Sequence, residues 1–176
     1  MGLELEASAR RCGALRWAEL RLFGILGAWV ASTPEPEAKL MLDRHSQHHA
    51  WRALQWWDRL PVVAGVDRES WVVPPSPAVG AAAAALADLD GTVARLAGAY
   101  RMALPRLAHA YEDLRATAGT IADGPTVRTV GLVGGDLGAD WREGELCLQR
   151  LIVDMPAVEV AAATVASLER LLVPGG

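Results

Sequence analysis

Leu86, Val93, Tyr100, Leu107 and Leu114 recur at every seventh position, and Leu89, Leu96, Ala103 and Ala110 stand three residues after the first four. That spacing gathers all nine on one side of an α-helix and scatters them over both faces of a strand, so the segment from about Ala81 to Gly119 reads as a helix with a bundle seam. Pro105 lies inside the seam and lacks a backbone donor, which predicts a break or bend there. The run ADGPT ends the segment.

Apolar periodicity and proline or glycine punctuation define four more helical segments. The first runs from about Glu6 to Ala31 and stops at STPEP; the second begins at Pro36 or Glu37 and ends at Pro61. Residues 61–80 form a crossover whose prolines and glycines prevent a long helix, with Trp71 expected to tuck against the body of the fold. In GLVGGDLG, four glycines between Gly131 and Gly138 predict a helix break, with Asp136 capping a better helix from Leu137 to about Val153. A last helix, from Pro156 or Ala157 to Val173, shows Val158, Ala161, Ala162, Val165, Leu168 and Leu172 on one face.

The expected fold is therefore all-α, in one domain over residues 1–176, with residues 1–5 and 174–176 as flexible ends. A net charge of -4 with thinly spread arginines gives no basic stripe, which argues against nucleic acid as a partner. Cys12 and Cys147 are too few for a disulfide framework, which implies a reducing compartment. The N-terminal stretch does not resemble a secretory signal, and the most apolar run, residues 22–31, is half of what a bilayer span needs. A cytoplasmic protein with no membrane partner is the expectation.

Projecting each helix at about 100° per residue shows which polar groups face inward. Glu19 falls within the stripe of Leu15, Leu22, Leu26 and Trp29. An ionised carboxylate there must be neutralised, paired or bound to a cation. On the second helix Ala38, Leu42, His45, His49, Ala53, Trp56 and Leu60 share a face, so His45 and His49 stack one turn apart and point inward, with His48 on the flank. Such a pair can bind one metal ion through adjacent ring nitrogens, or can be a hydrogen-bonded part of the core. His109, Glu112 and Asp113 project away from the seam and read as a solvated face.

On the fourth segment Leu137, Trp141, Leu148 and Ile152 mark the inside; Glu145 lies at the edge of that stripe, Asp140 outside the opposite edge, and Glu143 faces away. Trp17, Trp51 and Trp57 fall off the core faces and suggest a second contact surface, with a homodimer as the simplest use of it.

An inward Glu on the first helix, histidines on the second, a long crossover and an inward carboxylate later in the chain resemble the ferritin-like superfamily. LRWAELRLFGILGAWVASTPEPEAKLMLDRHSQHHAW, residues 15–51, looks like the first helix pair of bacterial members, and the resemblance spans about residues 10 to 153. It implies an up-down four-helix bundle with a long crossover between helices 2 and 3, here followed by a fifth helix. Such bundles hold two metal ions, usually iron, with a Glu from each of two helices and a Glu-x-x-His from each of the other two. By that resemblance Glu19 matches the first-helix Glu, and His45 or His49 the second-helix His. Leu42 and Ser46, however, stand where the second-helix Glu would be, and Leu148 stands where a histidine would follow Glu145.

Two function classes follow. In one, Glu19, His45, His49 and Glu145, with His48 as an alternative, ligate a metal such as iron and support oxygen-dependent oxidation of a small-molecule substrate. In the other, the bundle is metal-free, Glu19 pairs with a histidine or an arginine, and the tryptophan surface docks a second copy or another partner. GxSxG, P-loop and dinucleotide fingerprints are missing from the sequence.

Overall fold

The computed structural model describes residues 4–119 and 123–173, and every regular element among them is helical. Of the flexible ends expected at 1–5 and 174–176, residues 1–3 and 174–176 lie outside the described residues, while Leu5 already belongs to a helix. Helix α1 spans Leu5–Val30 and α2 spans Pro36–Trp57. The turn between them follows from its residues. Thr33 Oγ1 donates to the carbonyl of Trp29 at 2.9 Å, satisfying one open end of α1. Pro36 starts α2, where a missing N–H costs nothing. Gly27 and Ser46 allow close approach of the two helices, and Ser46 Oγ donates to the carbonyl of Phe23 at 2.9 Å.

The crossover holds one 3-10 turn, Arg68–Trp71, and Trp71 lies over Gly13 of α1, where any Cβ would collide with it. Trp71 thus tucks against the body as expected. The seam segment is divided more finely than its periodicity suggests. Helix α3, Pro77–Ala87, is capped by Ser76 and ends before Gly91, whose φ of 77° makes the turn into α4, Thr92–Ala97. A π-helical stretch, Gly98–Ala103, then leads into α5, Leu104–Thr117. The irregularity expected at Pro105 is therefore a widened turn just before it, where the proline withholds a donor from the preceding carbonyls.

Helix α6 runs unbroken over Gly124–Leu151, which corrects the expected break at the glycines. Gly131 and Gly135 meet open space, so they cost helix propensity without destroying a packed surface. Asp136 is consequently a mid-helix side chain and not a cap. Helix α7, Met155–Leu172, starts at Asp154, whose carboxylate accepts from the Ala157 amide at 2.9 Å.

Helices α1, α2, α6 and α5 pack in a closed cycle, each on the next, while α7 covers α3, α4 and the π stretch from outside. The core they share contains Leu26, Leu42, Trp56, Leu96, Tyr100, Tyr111, Leu137 and Leu148. Four inward expectations are corrected, with Ala110 of the seam and Ala162 of α7 exposed as well as the two that follow. Trp141 is 41% exposed and Val158 42% exposed, because α6 turns Asp140 and Gly144 toward the core and α7 turns Ala161, Thr164 and Leu168. No helix among the described residues is long and apolar enough to cross a membrane.

Candidate functional site at the bundle centre

On α2 the positions Leu42, His45, His49, Arg52 and Trp56 follow helical spacing and are all fully buried. Three of these five inward side chains are polar, and each finds partners on another helix. Glu19 of α1, also fully buried, receives the densest set. His49 Nδ1 lies 2.5 Å from its Oε2, Arg52 Nε donates to both its oxygens at 3.2 and 3.3 Å, and the Tyr111 hydroxyl donates to Oε1. Trp56 Nε1 in turn donates to the Tyr111 hydroxyl at 3.3 Å. The buried carboxylate is thus neutralised by a guanidinium and saturated with donors.

Arg52 extends this cluster toward α6. Its Nη1 donates to Oδ2 of Asp140 at 2.8 Å and to Oδ2 of Asp136. Burial weakens the guanidinium's charge, but Glu19 and Asp140 outweigh it, so the Arg52 pKa rises above its ordinary value. Asp140 is buried and also accepts from His48 Nδ1 at 2.8 Å on its other oxygen. Burial would raise the Asp140 pKa, yet His45, His48 and Arg52 together hold it below the usual range.

His45 occupies the upper part of the same seam. Its Nε2 is 3.2 Å from Glu143 Oε2 and 3.5 Å from Asp140 Oδ1, and its Nδ1 is 2.7 Å from the Tyr100 hydroxyl. Carboxylates only accept, so Nε2 carries the proton and Nδ1 accepts from Tyr100, the pattern of a neutral imidazole. Burial, opposed by Asp140 and Glu143, lowers the His45 pKa in agreement with that tautomer. The tyrosine comes from the π stretch, and its ring lies against Gly144 of α6, where a Cβ would meet it. Burial keeps Tyr100 and Tyr111 protonated, each well above the usual phenol range.

The inward placement expected for Glu19, His45 and His49 is therefore realised, but the three do not converge on one point. Glu19 and His49 belong to the inner cluster with Arg52; His45 faces Tyr100, Asp140 and Glu143. Glu145 sits apart, chelated by Arg101 through Nη2 at 2.6 Å and Nε at 3.0 Å. Asp140 and Glu143, expected outside the α6 stripe, instead face α2, because the inward stripe runs through Leu137, Asp140, Gly144 and Cys147 and leaves Trp141 outside. Arg52, Asp136 and Tyr111 were not expected at the site, Asp136 being expected only as a helix cap and Tyr111 only on the apolar seam. Arg52 continues the His45 and His49 stripe by three residues and lies beside Ala53 and Trp56, and that position on the apolar face was the available signal.

Among the described residues His48, Asp136 and Asp140 form a group whose ligand atoms lie within 4.8 Å of one another. Arg52 takes the Oδ2 atoms of both aspartates, while His48 approaches Oδ1 of Asp140. The partly exposed position of His48 and Asp136 puts this group at the edge of the bundle, with Asp140 beneath. Glu19, Asp136 and Asp140 face one guanidinium, Arg52, and so leave two negative charges when the histidines are neutral. Glu143 is balanced separately by Arg44 at the surface.

Comparison with protein-family models, with curated proteins and with solved structures gives no match for this chain.

Proposed function

We propose that the chain is a cation-binding helical bundle that holds one divalent metal ion at the α2–α6 edge through His48, Asp136 and Asp140. The observation that carries this reading is the convergence of those three side chains within 4.8 Å. Two unbalanced carboxylate charges, with Arg52 already fixed on the Oδ2 side, support it. Imidazole and carboxylate together suit iron(II), manganese or zinc. His48 Nδ1 hydrogen-bonds Asp140 at 2.8 Å. If that atom is the ligand, the imidazole proton sits on Nε2 and the hydrogen bond to Asp140 gives way to the metal.

The closed packing of α1, α2, α6 and α5 supports a ferritin-like bundle as its architecture, and the inward Glu19, His45 and His49 agree with that resemblance. The donor set does not fit two iron ions. Arg52 occupies the carboxylates at the centre, Glu19 is saturated, and the second-helix carboxylate positions are Leu42 and Ser46. We therefore assign no two-iron oxidation chemistry to it.

A metal-free reading is favoured by one observation, the contact of Arg52 with all three central carboxylates. In it the guanidinium replaces a cofactor and the bundle acts as a structural or interaction module. Titration calorimetry of chelator-treated protein with Mn2+, Fe2+ and Zn2+ separates the two. The cation reading expects about one ion per chain, lost in a folded His48→Ala, Asp136→Asn double variant. Absence of saturable uptake by the folded wild type would establish the metal-free reading.

A further inference from the structure

An apolar cavity lies along the flank of α1, beside the stripe that carries Glu19. Helix α3 packs chiefly on α7 and meets α1 only lightly, and the gap between α1, α3 and α5 forms a hollow of about 400 Å³. Its floor is apolar, with Leu22, Ile25, Leu86, Met102 and Leu107 among the side chains around it. Alanines from all three helices, among them Ala18, Ala83 and Ala110, leave the space open where larger residues would fill it.

We propose that this hollow binds an amphiphile with an unbranched acyl chain and a carboxylate head, the chain lying on the apolar floor and the head at Arg21. The size and apolar lining are those of a small-molecule site. A hollow of about 400 Å³ holds only about one turn of a helix about 10 Å wide, so it suits a single chain of methylenes better than the flank of a helix. Charge at the rim selects the head. Arg11 reaches Asp113 and Arg106 is paired with Glu169, whereas exposed Arg21 has no carboxylate within ion-pair distance among the described residues. Its recorded contact is with the face of Trp17, 5.7 Å from the ring centroid, which steadies the guanidinium beside the opening. A smaller hollow of about 300 Å³ adjoins at Arg21, Ile25 and Ala83, and Arg21 is itself exposed, so a head group there keeps access to solvent. A guanidinium without a partner matches a carboxylate with two parallel hydrogen bonds.

The test is calorimetry of the full chain with dodecanoate and with dodecan-1-ol below their aggregation limits, using wild type, Arg21→Glu and Ala83→Phe, with circular dichroism to check folding. Saturable dodecanoate binding is expected, weakened about tenfold or more by Arg21→Glu, while the alcohol is insensitive to that change. Ala83→Phe, which fills the hollow, abolishes both. If Ala83→Phe does not fold, Ala110→Leu at the exposed end of the lining replaces it. Failure of wild type to bind dodecanoate, equal binding by Arg21→Glu, or a homodimer that Ala83→Phe dissociates without any dodecanoate uptake would overturn the proposal. None of these outcomes depends on the cation site.

Discussion

His48 and His49 are adjacent in the sequence and belong to opposite kinds of environment. His49 lies in the dry inner cluster with Glu19, Arg52 and Tyr111, all fully or almost fully buried, where each charge is bound by fixed partners. His48 lies one helical step around, partly exposed, against Asp140 and near Asp136. The inner cluster has no room for exchange with solvent, so it specifies how α1, α2 and α5 fit together. The outer cluster has access to solvent and unbalanced negative charge, so it is the part able to take a ligand. A buried ion network and a binding site can therefore be two halves of one polar seam, separated by Arg52.

That contrast is broken most severely at Arg52. Arg52→Met keeps the aliphatic stem but leaves Glu19 and Asp140 buried without their cation, and should cost about 3–5 kcal/mol in denaturant unfolding. A loss below about 1 kcal/mol would mean that water or protonation already neutralises the inner carboxylates. Tyr111→Phe removes one donor to Glu19 and the acceptor of Trp56, with an expected cost of about 1.5–3 kcal/mol. Gly144→Ala places a methyl group against the Tyr100 ring and should cost about 1–3 kcal/mol, with a changed near-ultraviolet dichroism if the His45 to Tyr100 contact shifts.

Acid sharpens the same division. The His45 pKa is lowered in the fold, so as pH falls below about 6.5 the unfolded chain takes up a proton that the native chain refuses, and stability declines. Asp140 is also lowered, so its contribution is complete above about 3.9 and disappears as pH falls through the folded value. Urea midpoints of chelated protein should thus fall in two stages, and a flat profile from neutral pH to about 5 would contradict the His45 environment. The smallest effect is expected at the rim. His48→Ala should change stability by less than about 1 kcal/mol, as a partly exposed pair, while abolishing cation uptake.

Much of the fold was legible because apolar spacing is a local property. The α1 boundaries, the start of α2, most of the seam and the inward Glu19, His45 and His49 follow from turning each helix separately, whereas α2 ends at Trp57, four residues before the expected Pro61. The π stretch was not legible, since it arises where Pro105 withdraws a donor from a helix already packed through Gly98 and Tyr100. Continuity of α6 was not legible, since glycine propensity alone favours a break and the packing that overrides it is tertiary. Asp140 and Glu143 were hidden for a separate reason: a bulky apolar Trp141 placed inward turns the α6 stripe away from the histidines, whereas Trp141 is exposed and Asp140 and Gly144 face the core. Arg52 went unread for another reason: a guanidinium on an apolar stripe is expected to reach for solvent, and only the presence of Glu19, Asp136 and Asp140 on two neighbouring helices makes an inward course favourable.

The most direct test is the anomalous scattering of crystals grown with Mn2+ or Zn2+ and measured at each metal's absorption edge. The account predicts one peak at the α2–α6 edge, about 2.0–2.2 Å from an imidazole nitrogen of His48 and from a carboxylate oxygen of Asp136 or Asp140, with Arg52 still on Glu19. A peak coordinated by Glu19 and His49, with Arg52 displaced, or no peak along this seam in saturated crystals, would contradict it.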